Sequence, residues 1–462
     1  MKNQSTICAI ATPAGNGAIS IIRLSGKDAI KVCNKAFKPV DKSKELTKTK
    51  ANTIVFGTII ENSQIIDEVL VSVFKAPHSY TGEDIVEVSC HGSQYIQSRI
   101  LQLFIRSGAS LASPGEFTMR AFLNGKLDLS QAEAVADLIA SNSKTAHKLA
   151  IKQMRGGFSE KIKDLREQLI NFASLIELEL DFSEEDVEFA KRTDLLELLS
   201  KIDKEISILI NSFSLGNVMK NGIPVAIIGK PNVGKSTLLN LLLNEERAIV
   251  SELPGTTRDA IEDTMVIDGT AFRFIDTAGL RESTDQIENI GIEKTYEKIN
   301  LASVILYLFD ISQTNIEEIN STIQDFKIHL NDPSKRIIVI ANMIDKLVEI
   351  PKHFKDFVDL ETIFISAKRN ENIHLITESL IKSVANENIS ENTIISNARH
   401  YEALTKTKES LIRATEGIHT NIPSDLVAQD IREALHYLGE ITGQITSNDI
   451  LHNIFAKFCI GK

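Results

Sequence analysis

The stretch "IIGKPNVGKSTLLN", residues 227–240, decides the fold at the centre of this 462-residue chain. Gly229, Gly234, Lys235 and Ser236 fit the spacing G-x-x-x-x-G-K-[ST]. Glycines at those two places let backbone N–H groups turn inward around phosphates, and a helix beginning near Ser236 points its positive end at them. In such loops the lysine, here Lys235, reaches the β- and γ-phosphates, and the hydroxyl, here Ser236, ligates Mg2+. An ordinary glycine-rich turn is the competing reading. It is weakened because the apolar run "VAIIG" precedes the loop and "STLLNLLLN" follows it, the order of strand, loop and helix that the motif needs. Asn232, Val233 and Thr237 fall inside the same phosphate-binding stretch.

Four more pieces follow in order. "GTTRD" (255–259) offers Thr257 as a second Mg2+ ligand, and "DTAG" (276–279) offers Asp276, Thr277, Ala278 and Gly279. Asp276 can hold a water of the metal, and Gly279 can meet the γ-phosphate. "NMID" (342–345) and "SAK" (366–368) supply Asn342, Asp345, Ser366, Ala367 and Lys368. These last two are expected at the carboxyl ends of strands, where open parallel sheets bind ligands. Asp345 can accept hydrogen bonds from the N1–H and the amino group of guanine, a pair that adenine does not offer. GTP is therefore the nucleotide read from this set, with ATP as runner-up.

Two departures bear on turnover and affinity. Ras-like enzymes carry a water-orienting glutamine just after D-x-x-G, and here that place is Leu280. No arginine finger is identified, although Arg258 and Arg281 lie nearby. Asn232 can coordinate a monovalent cation beside the β/γ bridge. Glu288 could orient water if its loop folds over the site, but local sequence alone favours an exposed acid at a helix start. "NMID" also lacks the lysine of N-K-x-D. Met343 keeps the apolar contact with the base and not the polar tie to the phosphate loop, so base choice should survive through Asp345 while affinity suffers.

Around this centre the pattern changes twice. Residues 1–118 carry β-rich runs such as "AISIIRLSG" and "TIVFGTIIENSQIIDEVLVSVFKAP", interrupted by one helix-like stretch, "SQYIQSRILQLFIRSG". From 119 to 215 the apolar spacing is helical, with "QAEAVADLIASNSKTAHKLAIKQMRGG" and "FSEKIKDLREQLINFASLIELELDF" reading as long helices. Residues 216–381 alternate strand and helix, including two strands joined at Asp268–Gly269. Residues 382–462 are helical again. Two helical stretches around an α/β block suggest an insertion into one helical domain.

Composition narrows the function classes. A hydrophobic fraction of 43% and a charged fraction of 24% are those of an ordinary globular protein. No apolar run approaches the ~20 residues of a membrane span, and the start lacks the features of a secretory signal, so a cytoplasmic protein without membrane contact is expected. The net charge of −11 gives no global field that attracts nucleic acid. The lysine-rich run 31–50 reads as a solvated loop and helix face. Cys8, Cys33, Cys90 and Cys459 have no paired spacing, which argues against zinc and against a disulfide framework. "CIGK" at 459–462 has the outline of a prenylation box, but its Gly and Lys are wrong for one.

Beyond these readings, the chain resembles the MnmE (TrmE) family of tRNA modification GTPases over nearly its whole length. The resemblance is carried by "TPAGNGAISIIRLSG", "SYTGEDIVEVSCHG", "SPGEFTMRAFLNGKLDLSQAEAVADLI", "GTTRD", "DTAGLRE" and the final "FCIGK". "HGS" (91–93), where the family commonly has H-G-G, departs from the pattern, as does Met343.

The resemblance implies a multidomain protein: an α+β folate-binding-like N-terminal domain (1–118) that also dimerises, a split all-α helical domain (119–215 and 382–462), and an inserted α/β P-loop GTPase domain (216–381). It implies a homodimer that joins the FAD-dependent subunit MnmG (GidA) in a heterotetramer acting on tRNA. Such complexes install a carboxymethylaminomethyl or aminomethyl group on C5 of the wobble uridine, with a tetrahydrofolate derivative giving the one-carbon unit. By position, the resemblance makes Asn232, Ser251, Leu253 and Thr256 the K+ ligands, with Ser251 and Thr256 also at the nucleotide. It makes Glu288 the catalytic, water-orienting glutamate. Arg23, Glu87, Lys126 and Lys462 match folate contacts, and Cys459 matches the family's C-terminal cysteine, where a place in the structure near folate weighs as much as a catalytic one.

Two other classes compete. One is a regulatory P-loop GTPase switch in ribosome assembly, of the Era or EngA type, against which the folate-like module and "FCIGK" argue. The other is a folate-dependent aminomethyltransferase that has gained a GTPase domain. Only the resemblance separates it from a GTPase subunit of a tRNA-modifying complex.

Overall fold

A computed structural model describes residues 5–181, 191–245, 263–275, 299–313, 316–329, 335–347, 362–384 and 393–461. The chain divides into two compact units, one of Met1–Ala136, Gln153–Asp203 and Ala403–Lys462, the other of Asp137–Lys152 and Lys204–Glu402.

The first unit opens with seven strands: β1 (Ile7–Ile10), β2 (Gly17–Ser25), β3 (Phe37–Pro39), β4 (Thr53–Glu61), β5 (Gln64–Phe74), β6 (Ile85–Gly92) and β7 (Ser110–Leu111). They form one sheet in the order β3-β4-β5-β6-β2-β1-β7. β4 and β5 meet across Asn62 and Ser63, both at positive φ (49° and 66°), which suits the tight turn of a twisted hairpin. Alternation along the strands buries Ile22, Leu24, Val55, Val71 and Val88 in one core with Ile100 and Phe104 of the helix Gln94–Arg106. The lysine-rich run begins, as expected, on the solvated face of a helix, Ala29–Ala36. Its Val32, Cys33 and Ala36 are core while Lys31 and Lys35 stay outside.

The helical part of the same unit packs Leu129 and Ala132 against Leu451, Phe455 and Phe458. Gly443 ends the helix Ser424–Thr442 in the left-handed region at φ 79°, and a Cβ there would lie 2.7 Å from the Phe122 ring. Only glycine meets both demands.

The run expected as one long helix near 131–157 is instead two helices, Leu129–Ala140 and Lys144–Met154. The Ser141 hydroxyl donates to the Leu138 carbonyl at 2.7 Å, and the Ser143 hydroxyl accepts from the Ala146 N–H at 3.1 Å. Side-chain bonds of that kind satisfy the backbone locally and end one helix while capping the next.

The second unit contains β8 (Ile223–Ile228), β9 (Asp263–Ile267), β10 (Thr270–Phe274), β11 (Val304–Asp310), β12 (Arg336–Asn342) and β13 (Thr362–Phe364). Their order is β13-β12-β11-β8-β10-β9, parallel except for β9. Asp268 and Gly269, at φ 48° and 77°, make the expected β9–β10 turn. β8 and β11 are buried along their full length because both faces are covered. Leu238, Leu239 and Leu242 of the helix Lys235–Glu245 pack on one face with Ile373, Ile376 and Leu380, and Ile319 and Ile323 pack on the other. Burying each such leucine or isoleucine contributes up to about 1.5–3 kcal/mol. That packing holds the phosphate-loop helix against the sheet.

Candidate functional site

At the carboxyl end of β8 the backbone turns through Gly229, at φ 151°, and enters the helix at Lys235. A Cβ on Gly229 would lie 2.0 Å from the Leu308 carbonyl oxygen, and one on Gly234 would lie 2.5 Å from Asn342 Nδ2. Asn232 sits between them in the left-handed region at φ 61°. The glycines are thus required by close approach, and the loop can wrap an anion with its N–H groups. Lys235 Nζ donates to the carbonyls of Gly229 and Lys230, at 2.7 Å each, so its ammonium lies over the loop where phosphates would sit. Ser236 occupies the first turn of the helix, and Thr237 beside it is exposed. This donor set fits the phosphates of a nucleotide with a hard cation at a hydroxyl.

The turn expected to recognise the base begins where β12 ends. Asn342 is 2% exposed, donates to the Val233 carbonyl at 2.8 Å, and accepts from Met343 N at 2.8 Å and Ala367 N at 3.0 Å. One amide therefore joins the phosphate loop, its own turn and the loop that carries Ser366, Ala367 and Lys368. Met343 adopts φ 68°, and Ile344–Lys346 form a single 3-10 turn. Asp345 Oδ1 accepts from the Ser366 hydroxyl at 2.7 Å, and that bond holds its carboxyl below the usual range. It stays ionised at neutral pH, as an acceptor for two guanine N–H groups must. Lys368 is exposed.

Sequence reasoning missed two residues at this turn. Asp310, at the end of β11, accepts from Lys346 Nζ at 3.0 Å and from both the N–H and the hydroxyl of Ser312. Burial pushes its carboxyl up, but those hydrogen bonds and the Lys346 charge outweigh it and the net shift is downward. The signal was present as an aspartate closing the apolar run "VILYLFD" and a lysine directly after "NMID". Ser251, Leu253, Thr256, Thr257, Asp276, Thr277, Ala278, Gly279, Glu288 and Lys462 lie outside the described residues.

A second polar cluster belongs to the first unit. Arg23 on β2 and Glu87 on β6 are register partners, and their side chains pair at 2.7 Å with about a fifth to a quarter of each exposed. The guanidinium lies 5.8 Å from the Tyr80 ring centre and 5.7 Å from that of Phe117, a cation–π distance in both cases. Arg23 Nη1 also donates to the Gly461 carbonyl at 3.5 Å. Gly461 packs so closely that a Cβ would lie 2.4 Å from the Ile10 carbonyl oxygen, and the Cys459 carbonyl accepts from Gly115 N at 3.4 Å. The tail therefore closes on the N-terminal sheet, which brings Arg23, Glu87 and the end of the chain together. Lys126 is placed differently, with its ammonium on the Pro77 carbonyl at 3.0 Å. Tyr80 and Phe117 were not singled out from sequence, since isolated aromatics carry no spacing signal.

Comparison with known proteins agrees with this layout. A family model described as the MnmE helical domain matches residues 129–459, and one described as the GTP-binding protein TrmE N-terminus matches residues 6–126. The chain is 53% identical over 464 residues to the tRNA modification GTPase MnmE of Flavobacterium psychrophilum, with 100% of each covered. It is 53% identical over 463 residues to the protein of that name from Cytophaga hutchinsonii, covering 100% of this chain and 98% of the other. Among solved structures, the G domain of the T. maritima FeoB iron transporter spans 35% of this chain and 98% of its own, at 21% identity and a TM-score of 0.26. Among the described residues no helix is long and apolar enough to cross a membrane.

Proposed function

The chain belongs to the MnmE family of tRNA modification GTPases, and from that premise we propose a K+-dependent GTP hydrolase, active as a dimer, that serves wobble-uridine modification. The observation that carries the nucleotide half is the Asn342 amide, which holds the phosphate loop and the Asp345 turn in one piece. A ligand that fills both must present phosphates and a base with paired N–H donors, and guanosine di- and triphosphates do so.

In this reading the loop N–H groups and Lys235 would neutralise the β- and γ-phosphates, and Ser236 with Thr257 and Asp276 would hold Mg2+, which would supply positive charge at the phosphates. With Leu280 unable to orient the attacking water, that task falls to Glu288. Asn232, Ser251, Leu253 and Thr256 would hold K+, which supplies positive charge at the β/γ bridge as negative charge grows there. Turnover should therefore be measured in K+ and in Na+ at equal ionic strength. Equal rates remove K+ from the mechanism.

The Arg23 cluster supports a folate reading. A guanidinium and a carboxylate beside two aromatic rings suit a ligand with a flat heteroaromatic ring and an anionic tail. Arg23, Glu87, Lys126 and Lys462 are proposed to hold a tetrahydrofolate derivative, which supplies a one-carbon unit when bound. Cys459 is proposed to serve near that ligand, in a structural place or in a catalytic one. Modification itself is proposed to need an FAD-dependent partner of the MnmG type and a tRNA substrate. Nucleoside analysis of tRNA from a deletion strain tests this. Unmodified wobble uridines are expected, and intact ones would favour the ribosome-assembly switch instead.

A further inference from the structure

The base-recognition turn lacks the lysine that would tie it to the phosphate loop, yet it is not loosely held. We propose that the ion pair between Lys346 and Asp310 positions this turn, and with it Asp345, in place of the tie lost at Met343. The inference rests on the guanine reading given above.

Besides the backbone bond from Ile344 N–H to the Ile365 carbonyl at 3.2 Å and the Ala367 N–H on Asn342, three side-chain contacts hold the turn, each from a different strand end. Asn342, closing β12, binds the phosphate loop. Ser366, just past β13, binds the Asp345 carboxylate at 2.7 Å. Asp310, closing β11, binds Lys346 at 3.0 Å. Asp310 and Asn342 are register partners on adjacent parallel strands, so the turn is gripped from two neighbouring strands and not from its own alone.

Asp310 is a stiff anchor. Its side chain is 9% exposed, and Ser312 gives it a backbone bond at 2.9 Å and a hydroxyl bond at 2.6 Å before Lys346 is counted. Lys346 closes the single 3-10 turn, its N–H donating to the Met343 carbonyl at 3.0 Å. A tether at Lys346 therefore also restrains Met343, whose φ of 68° is costly for a residue with a side chain. The residue next to Lys346 is Asp345. Two hydrogen bonds to a base demand placement to within about 0.5 Å, so an anchor one residue away affects recognition directly.

The Lys346 side chain is 46% exposed, so the pair is of moderate strength and the effect should be several-fold. The test uses the full chain, a fluorescent GDP titration, and competition by GDP, IDP and ADP. IDP lacks the 2-amino group, so the GDP-to-IDP affinity ratio reports where Asp345 sits. Lys346→Met should weaken GDP about 3- to 10-fold and lower the GDP-to-IDP ratio, with the melting temperature unchanged. Lys346→Arg should keep both. Met343→Lys should change wild-type binding by less than about twofold but restore most of the loss in the Lys346→Met background. Asp310→Asn, which keeps hydrogen bonding to Ser312, should reproduce Lys346→Met and serves as the second variant should the first fold poorly.

GDP affinity and the GDP-to-IDP ratio both within twofold of wild type in Lys346→Met overturn the proposal. So does a loss of affinity that leaves the ratio untouched and that Met343→Lys does not rescue. Failure of the wild type to prefer GDP over ADP would refute the guanine reading instead, a separate and earlier outcome of the same titration.

Discussion

The nucleotide loop and the Arg23 cluster are built on opposite plans. Residues 229–236 are contiguous, and what they offer is mostly backbone: two glycines at close approach, an Asn at positive φ and a helix start. The Arg23 cluster is made of side chains from separated elements, with Glu87 64 residues away and Gly461 438 residues away along the chain. A site made of backbone tolerates almost no change in spacing and leaves a readable motif. A site made of distant side chains constrains residue types at scattered places and leaves none.

That contrast predicts which perturbations hurt. Adding one carbon at Gly234 should be among the most damaging changes in the molecule. Gly234→Ala strains a backbone at φ 96° and pushes against Asn342 Nδ2, so it disturbs the phosphate loop and the base turn together. A penalty of about 2–4 kcal/mol, or about 30- to 1000-fold in GDP affinity, is expected. A fluorescent GDP titration that showed less than a threefold change would break the comparison at its strongest point.

Glu288→Ala should be of similar size on a different quantity. Hydrolysis should fall by the equivalent of about 2–4 kcal/mol while GDP affinity holds. Single-turnover rates beside equilibrium titration separate the two, and parallel losses would make Glu288 a structural residue. The distributed cluster should respond more gently to any one change. Removing 459–462 takes away the carbonyl that meets Arg23 and should weaken a tetrahydrofolate derivative about tenfold or more, with GTP turnover preserved. Calorimetry on the folded, truncated protein decides, and unchanged affinity would detach the tail from the pocket.

The smallest effect concerns the thiols. Burial raises the pKa of Cys8 and Cys90 to about 11, helped at Cys90 by the nearby Asp67 charge, and burial also raises Cys33, whereas Cys459 is exposed. A raised thiol pKa means less thiolate at any pH below it, so the three buried sulfurs should be inert at pH 8. One prompt thiol in the native protein and four after denaturation are expected with a disulfide reagent. More than one prompt thiol would mean that the N-terminal core opens readily.

Sequence reading succeeded where chemistry is local. The phosphate loop, the Asp268–Gly269 hairpin and the buried strands β8, β11 and β12 follow from motif, turn residues and apolar runs. It failed at Ser141–Ser143, where side-chain bonds to backbone outweighed helical periodicity. At the site it identified Asn342 as a base-loop residue without seeing that its amide would bridge three segments. Asp310 and Lys346 each left a local signal, but that they meet depends on which strands are neighbours in the sheet, and spacing does not encode strand order. Arg23 and Glu87 were singled out only through resemblance, and their pairing was not foreseen, for the same reason.

The closure of Gly461 onto β1 also has a temporal side. Gly461 also meets Arg23 of β2, 438 residues earlier, and at a synthesis rate of about 5–20 residues per second the ribosome takes roughly 20–90 s to cover that interval. Throughout that time Arg23 lacks the Gly461 carbonyl as a partner. Under the folate proposal, capture of that ligand would wait until the segment around Gly461 had been made. A message interrupted after residue 381 would lack Gly461, and with it the carbonyl that meets Arg23.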